Sequence, residues 1–189
     1  YRRQVFWMDP RSDALDALAV AVLEPLLHHP AHRRVQIAVV EQIVGQLLHD
    51  VERIDLEADL RQSIERKELF LLYQPQVDQQ GRVIGAEALC RWRSATRGLV
   101  SPAEFVPLAE SSGFIRELGP WVLETACEQL AAWADGPQTA HLSIAVNVSV
   151  YQFRHPNFVD MVMAAILRTG IRPQRLKLEL TESLLADRM

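Results

Sequence analysis

A chain of 189 residues with 49% apolar and 23% charged residues has the composition of one ordinary globular domain with room for an appendage. Its net charge of -4 excludes the broad positive footprint of a binder of duplex DNA or anionic membranes, so any nucleotide ligand requires a local site. Cys90 and Cys127 stand alone without metal-type spacing, which favours reduced thiols and a cytoplasmic setting.

In the first third, the longest uncharged apolar run, Ala17 to Leu23, is far too short to span a bilayer, and no signal-peptide pattern is present. The chain opens on Tyr1 rather than Met, which raises the expectation that it is a piece of something longer. Residues 13 to 27 read as a helix that is apolar nearly all round and must pack on something, a partner outside this chain included. His28, His29 and His32 follow in a loop, but with neither a fourth ligand nor a nearby carboxylate they make a poor metal site.

Residues 31 to 67 read as one long helix. Ile37, Val40, Val44, Leu47, Val51 and Ile54 recur at spacings of 3, 4, 3, 4 and 3, a heptad seam that is shorter than three heptads. Two readings stand: a dimerising, signalling coiled coil that joins an upstream sensor to the rest of the chain, or a helix packed on its own domain. The β-branched run from Val35 to Val40 admits a strand as well.

The organised part begins near Asp55, which divides the chain into a helical upstream segment, 1–54, and a domain, 55–189. Residues 69 to 77 form a strand, a polar turn follows at Asp78-Gln79-Gln80-Gly81, and residues 82 to 92 form the second strand of an antiparallel hairpin. Pro75, late in the first strand, implies that this strand lies at a sheet edge or ends there. On the second strand Glu87, Leu89 and Arg91 share one face, while Ala88, Cys90 and Trp92 share the other. A carboxylate and a guanidinium on one strand face mark either a structural ion pair or a site.

Ser101-Pro102-Ala103-Glu104 is a capping box that opens a short helix ending before Gly113. Gly119-Pro120 opens the next helix, which runs to Asp135. Residues 141 to 150 alternate as a strand, with Ser143, Ala145, Asn147 and Ser149 on its polar side. An amphipathic helix over residues 156 to 169 and a strand over residues 175 to 181, bearing Lys177, Glu179 and Thr181 on one face, complete the pattern. Strands alternating with helices imply a parallel sheet. Glu87, Asn147 and Glu179 fall towards the C-terminal ends of their strands, where the side chains of a (β/α)8 barrel converge on an active site. An open doubly wound sheet is the competitor, and its Gly-rich phosphate loop is missing.

Glu87-Ala88-Leu89-Cys90-Arg91-Trp92 resembles the signature of the EAL domain, the bacterial cyclic di-GMP phosphodiesterase module. The resemblance extends through Tyr73-Gln74-Pro75, the run from Ser101 to Glu110, Asn147-Val148-Ser149 and Glu179-Leu180-Thr181-Glu182, five motifs in order over residues 55 to 189. It implies a (β/α)8 TIM-type barrel whose first strand is antiparallel, and a metal-dependent hydrolysis of cyclic di-GMP to pGpG in second-messenger signalling. It implies that Glu87, Asn147 and Glu179 bind Mg²⁺ or Mn²⁺, that Glu87 is catalytic, and that Glu182 anchors a loop beside the metals. Arg91, Ser101 and Pro102 match ligand-contacting positions, with Arg91 on phosphate, and Gln74 and Leu89 match positions lining the pocket. The resemblance covers about 135 residues, where a complete barrel takes about 250. The family's paired aspartates, catalytic Lys and later Glu and Gln, which serve the second metal and the chemistry, would lie past Met189. The expectation is therefore a barrel cut after about half its length, with activity in the parent protein and none in these residues alone. The alternative is an inactive domain that senses cyclic di-GMP or mediates regulated dimerisation. The expected partners are cyclic di-GMP, a second copy of the chain and an upstream sensory domain, with neither DNA nor a membrane segment.

Overall fold

A computed structural model describes residues 33–180, with side chains from residue 41 onward. The helix read over residues 13–27, the histidine cluster, the side chains of Ile37 and Val40, and Glu182 lie outside the described residues. The chain divides into two compact units, Tyr1–Ile54 and Asp55–Met189.

Helix α1 spans Arg33–Gln62, so the residues from Val35 to Val40 are helical rather than extended. No proline interrupts it, and i,i+4 pairs such as Glu57–Arg61, at 2.9 Å, run along its surface. The seam residues Leu47, Val51 and Ile54 are exposed, whereas Leu56 and Leu60, one turn apart, are buried in the core of the second unit. Among the described residues no helix is long and apolar enough to cross a membrane.

The second unit is built on a five-stranded sheet. Strands β1 (Leu69–Val77) and β2 (Val83–Ser94) pair antiparallel, as a short polar turn requires. Asp78 organises that turn, since its carboxylate accepts from the backbone N–H of Gln80 and of Arg82, both at 2.9 Å, and Gly81 takes a left-handed φ of 77°. A three-residue strand β3 (Gly98–Val100), which sequence alone does not announce, folds back on β2. Strand β4 (Ser143–Val148) pairs parallel with β2, and β5 (Leu176–Leu180) pairs parallel with β4, giving the order β1-β2-β4-β5. β1 is thus an edge strand, and Pro75 can lie in it without breaking an interior ladder.

The crossovers are helical. Helix α2 (Pro102–Ser112) starts where Ser101 accepts from Ala103 N–H and stops at Gly113, whose φ of 79° is the left-handed cap that glycine adopts freely. Helix α3 spans Ile115–Ala134 and passes through Gly119-Pro120 instead of starting there. Pro120 is the sixth residue of the helix and removes the N–H that would bond Arg116, while Gly119 has no Cβ to clash with the ring that follows. A one-turn helix α4 (Val150–Phe153) precedes α5 (Phe158–Thr169), which Gly170 closes, and a 3-10 turn at Pro173–Arg175 leads into β5.

The core lies on the outer side of the sheet. Ala88 and Trp92 of β2 and Ile144 and Val146 of β4 meet Phe105, Leu108, Leu118 and Ala126 of the helices. Trp92 is fully buried, edge-on to Phe105 with ring centroids 6.0 Å apart, and its indole N–H donates to Glu68 at 3.0 Å. The inner side of the strands carries Gln74, Glu87, Leu89, Arg91, Ala145, Asn147 and Glu179. These βα units on a parallel run of strands are the beginning of a (β/α)8 barrel.

Candidate metal and ligand site at the strand ends

Period-two alternation hands each strand's apolar set to the core and leaves the other set on the inner face. Register then decides which inner residues meet. Glu87 lies opposite Gln74 of the antiparallel neighbour and opposite Ala145 of the parallel one, while Asn147 lies opposite Glu179. Across the β2–β4 boundary Asn147 Nδ2 donates to Glu87 Oε1 at 2.6 Å. Glu87 is half-buried, and Asn147 and Glu179 are exposed. Three oxygen-bearing side chains from three strands therefore sit side by side.

Arg91 does not pair with Glu87. Its Nη1 donates to its own neighbour's carbonyl, that of Cys90, at 2.8 Å, which leaves the remaining guanidinium donors uncommitted in that bond. The ion-pair reading of the Glu87 and Arg91 face therefore fails.

Beside this group a cavity of about 380 Å³ opens between β2, α2, α3 and α4. Leu89, Arg91, Pro102 and Asn147 line it, together with Ser149 and Gln152. Val106, Pro107, Leu118 and Val122 make its depth apolar, and burial there raises the carboxyl pKa of Glu110 above its ordinary value. An apolar recess with a few polar groups at its mouth is the form of a small-molecule site. Ser101 stands at the start of α2 next to Pro102, its hydroxyl engaged in the cap. Gln74 is exposed on the edge strand, and Glu182 lies outside the described residues. Gln152 and Glu110 were not singled out by sequence reasoning as site residues. The Ser149-x-x-Gln152 capping pattern was the signal that could have drawn attention to Gln152.

Among the described residues no cluster of three His, Cys, Asp or Glu side chains could hold a metal, so Glu87, Asn147 and Glu179 are the donor set to weigh. Two carboxylates and an amide suit a hard divalent cation, which takes oxygen ligands and fills its remaining positions with water and substrate oxygens. No thiolate or imidazole contributes, which disfavours a soft-metal site. The donor set fits Mg²⁺ or Mn²⁺.

The protein is thus of the α/β class that carries an oxygen-rich site at the C-terminal ends of barrel strands. A family profile described as the EAL domain matches residues 57–189, and the chain belongs to the EAL domain family. It is 48% identical over 133 residues to the bifunctional diguanylate cyclase/cyclic di-GMP phosphodiesterase MucR of Pseudomonas aeruginosa, a match covering 70% of this chain and 19% of that protein. It is 39% identical over 138 residues to the oxygen sensor protein DosP of Escherichia coli, covering 72% of this chain and 17% of that one. Among solved structures, the MucR phosphodiesterase in complex with c-di-GMP superposes with a TM-score of 0.65 at 47% identity, over 70% of this chain and 55% of that one. The chain spans less than a fifth of these two curated relatives and about half of that solved structure.

Proposed function

We propose that this chain is part of a cyclic di-GMP phosphodiesterase that hydrolyses its substrate to pGpG. The observation that carries the reading is the 2.6 Å contact between Glu87 and Asn147 with Glu179 in register beside them, next to a cavity bordered by Arg91. Glu87, Asn147 and Glu179 would hold Mg²⁺ or Mn²⁺. A divalent cation bound there would supply the Lewis acid that activates water and offsets phosphate charge. Arg91 turns its free N–H groups to a phosphodiester oxygen, a charge-assisted contact that also sets the register of the ligand. Ser101 and Pro102 bring the start of α2 against the ligand, and Leu89 with Gln74 forms the wall that limits water around the scissile phosphate. To Glu182, outside the described residues, this reading assigns the anchoring of a loop. The cyclic di-GMP complex of the 47% identical MucR structure supports the choice of ligand.

The remaining parts of the proposal concern context. Residues 1–54 form an upstream signalling segment, and residues 55–189 are part of the EAL domain. The exposed seam residues Leu47, Val51 and Ile54 favour pairing with a second copy of the chain. An upstream sensory domain precedes this segment in the whole protein, which works in the cytoplasm.

The test is chromatographic. The whole protein, incubated with cyclic di-GMP and Mg²⁺ or Mn²⁺, should release pGpG, and a chelator should stop it. Binding of unaltered cyclic di-GMP without any product would replace the enzyme by a sensor.

A further inference from the structure

Gly119 lies inside α3, where glycine is less favourable than alanine, and its own φ does not call for glycine. Space does. A Cβ at this position would stand 1.6 Å from Nε2 and 2.7 Å from Cδ of Gln152, so the Gln152 side chain fills the volume that any other residue would need. The oxygen of the same amide closes a capping box. Gln152 Oε1 accepts from Ser149 N–H at 3.0 Å, and Ser149 Oγ accepts from Gln152 N–H at 3.2 Å.

Ser149 is two residues past Asn147 and one past the end of β4. Among the described residues the register of β4 with β2 runs only as far as Ala88 and Val146, whereas its register with β5 includes Asn147 opposite Glu179. Asn147 reaches past the end of the β2–β4 register to Glu87, 2.6 Å away. We propose that Gln152, lodged between Gly119 and the Ser149 backbone, is the positioning residue for Asn147. Through the Ser149 cap it restrains the chain just past β4 and so sets the Asn147 amide against Glu87 and Glu179. The consequence for cation binding rests on the reading of these three residues as ligands. Site geometry is productive only within about half an ångström, and supporting residues of a metal site change its affinity by about 10- to 100-fold.

The experiment uses the ¹⁵N-labelled chain without metal and follows the Asn147 side-chain amide by NMR. Bonded to Glu87, that resonance is displaced from the position of a free amide. Gln152→Leu, which keeps bulk but loses the cap, and Gly119→Ala, which evicts Gln152 without touching the cap residues, should both return it to the free position. Gln152→Glu preserves a capping box and should leave it displaced. The proposal is overturned if Gln152→Leu retains the β4 and β5 amide pattern with Asn147 still displaced, if Gln152→Glu behaves like Gln152→Leu, or if Asn147 is at the free position in the unmutated chain. Titration with Mn²⁺ forms a separate arm. Paramagnetic broadening of Asn147 should need about tenfold more Mn²⁺ in Gln152→Leu. Equal Mn²⁺ sensitivity in that variant overturns the link to cation binding. No broadening in the unmutated chain refutes the metal reading itself and leaves positioning to be decided by the first arm.

Discussion

Trp92→Phe isolates the bond that ties β2 to the segment after α1. Trp92 is fully buried, and its Nε1–H donates to Glu68 Oε2 at 3.0 Å, while Glu68 Oε1 accepts from Ala95 N–H at 3.2 Å. Phenylalanine keeps a ring edge-on to Phe105 and removes the donor. The smaller ring leaves a void of about 30–40 Å³, which at ~24 cal/mol per Å³ costs about 1 kcal/mol. Loss of a hydrogen bond to a carboxylate costs about 1.5–3 kcal/mol, and the lower end applies because half-buried Glu68 keeps its bond to Ala95 and can recruit water. The expected loss is therefore about 2–3 kcal/mol, read as a shift of the urea midpoint at unchanged slope. A double-mutant cycle with Glu68→Ala should return a coupling of about 1–2 kcal/mol. A loss below about 1 kcal/mol, or strictly additive single mutants, would refute the assignment of this bond as a restraint on the strand.

Glu87→Gln keeps the shape and the acceptor for Asn147 but removes the charge, so hydrolysis by the whole protein should fall by at least ~100-fold, with unfolding changed by less than about 0.5 kcal/mol; retained turnover in the product assay would end the metal role. Burial pushes the Cys90 thiol up to about 12, against a lowering by Arg91, and pushes Cys127 up to about 11. Both should resist a thiol reagent at pH 8 in the folded protein and react promptly once urea unfolds it. The Tyr73 phenol is also raised to about 12, by burial first and by the charge of Glu128 second. Because the unfolded chain releases these protons near pH 9–10 while the folded one retains them, stability is undiminished below that range and falls as pH climbs towards 11–12, a decline that urea titrations at stepped pH would show. Gly113→Ala places a Cβ in open space but at φ 79°, so backbone strain alone should cost about 1–2 kcal/mol in the same titration, and a neutral result would mean that the helix end can reshape.

The sequence made the inner and outer faces legible because a strand's alternation survives any detail of packing. Leu69–Val77 and the β2 face bearing Glu87 are where the pattern puts them. What was hidden depended on tertiary partners. The three residues of β3 are too few to carry a pattern, and they are a strand only because β2 is long enough to pair with them. Gly119-Pro120 has the look of a helix start, yet the preceding Ile115 and Leu118 are buried in the core and draw one more turn into the helix. The same glycine is explained by Gln152, 33 residues away, which no local rule can supply. Arg91 was legible as a residue of the inner face, but its bond to the Cys90 carbonyl depends on how the strand twists.

Glu87 and Trp92 are five residues apart on one strand and belong to opposite sides of the sheet, which gives them separate work. Trp92 looks outward into a core where removing atoms leaves a void that neighbours only partly close. Glu87 looks inward, where its carboxylate meets Asn147 and water, and where changing its charge disturbs little packing. The two faces communicate at the C-terminal end of β4, where the strand gives way to the α4 cap and Gln152 reaches back to α3. Substitutions on the outer face should therefore move the unfolding midpoint and leave the Asn147 resonance in place, while Glu87→Gln should do the reverse for metal and hydrolysis. Gly119→Ala is the informative exception, since it lies in a core helix and yet should act on the inner face through Gln152. If it lowered stability and left Asn147 untouched, the sheet would insulate its two faces more completely than the contact between Gly119 and Gln152 implies.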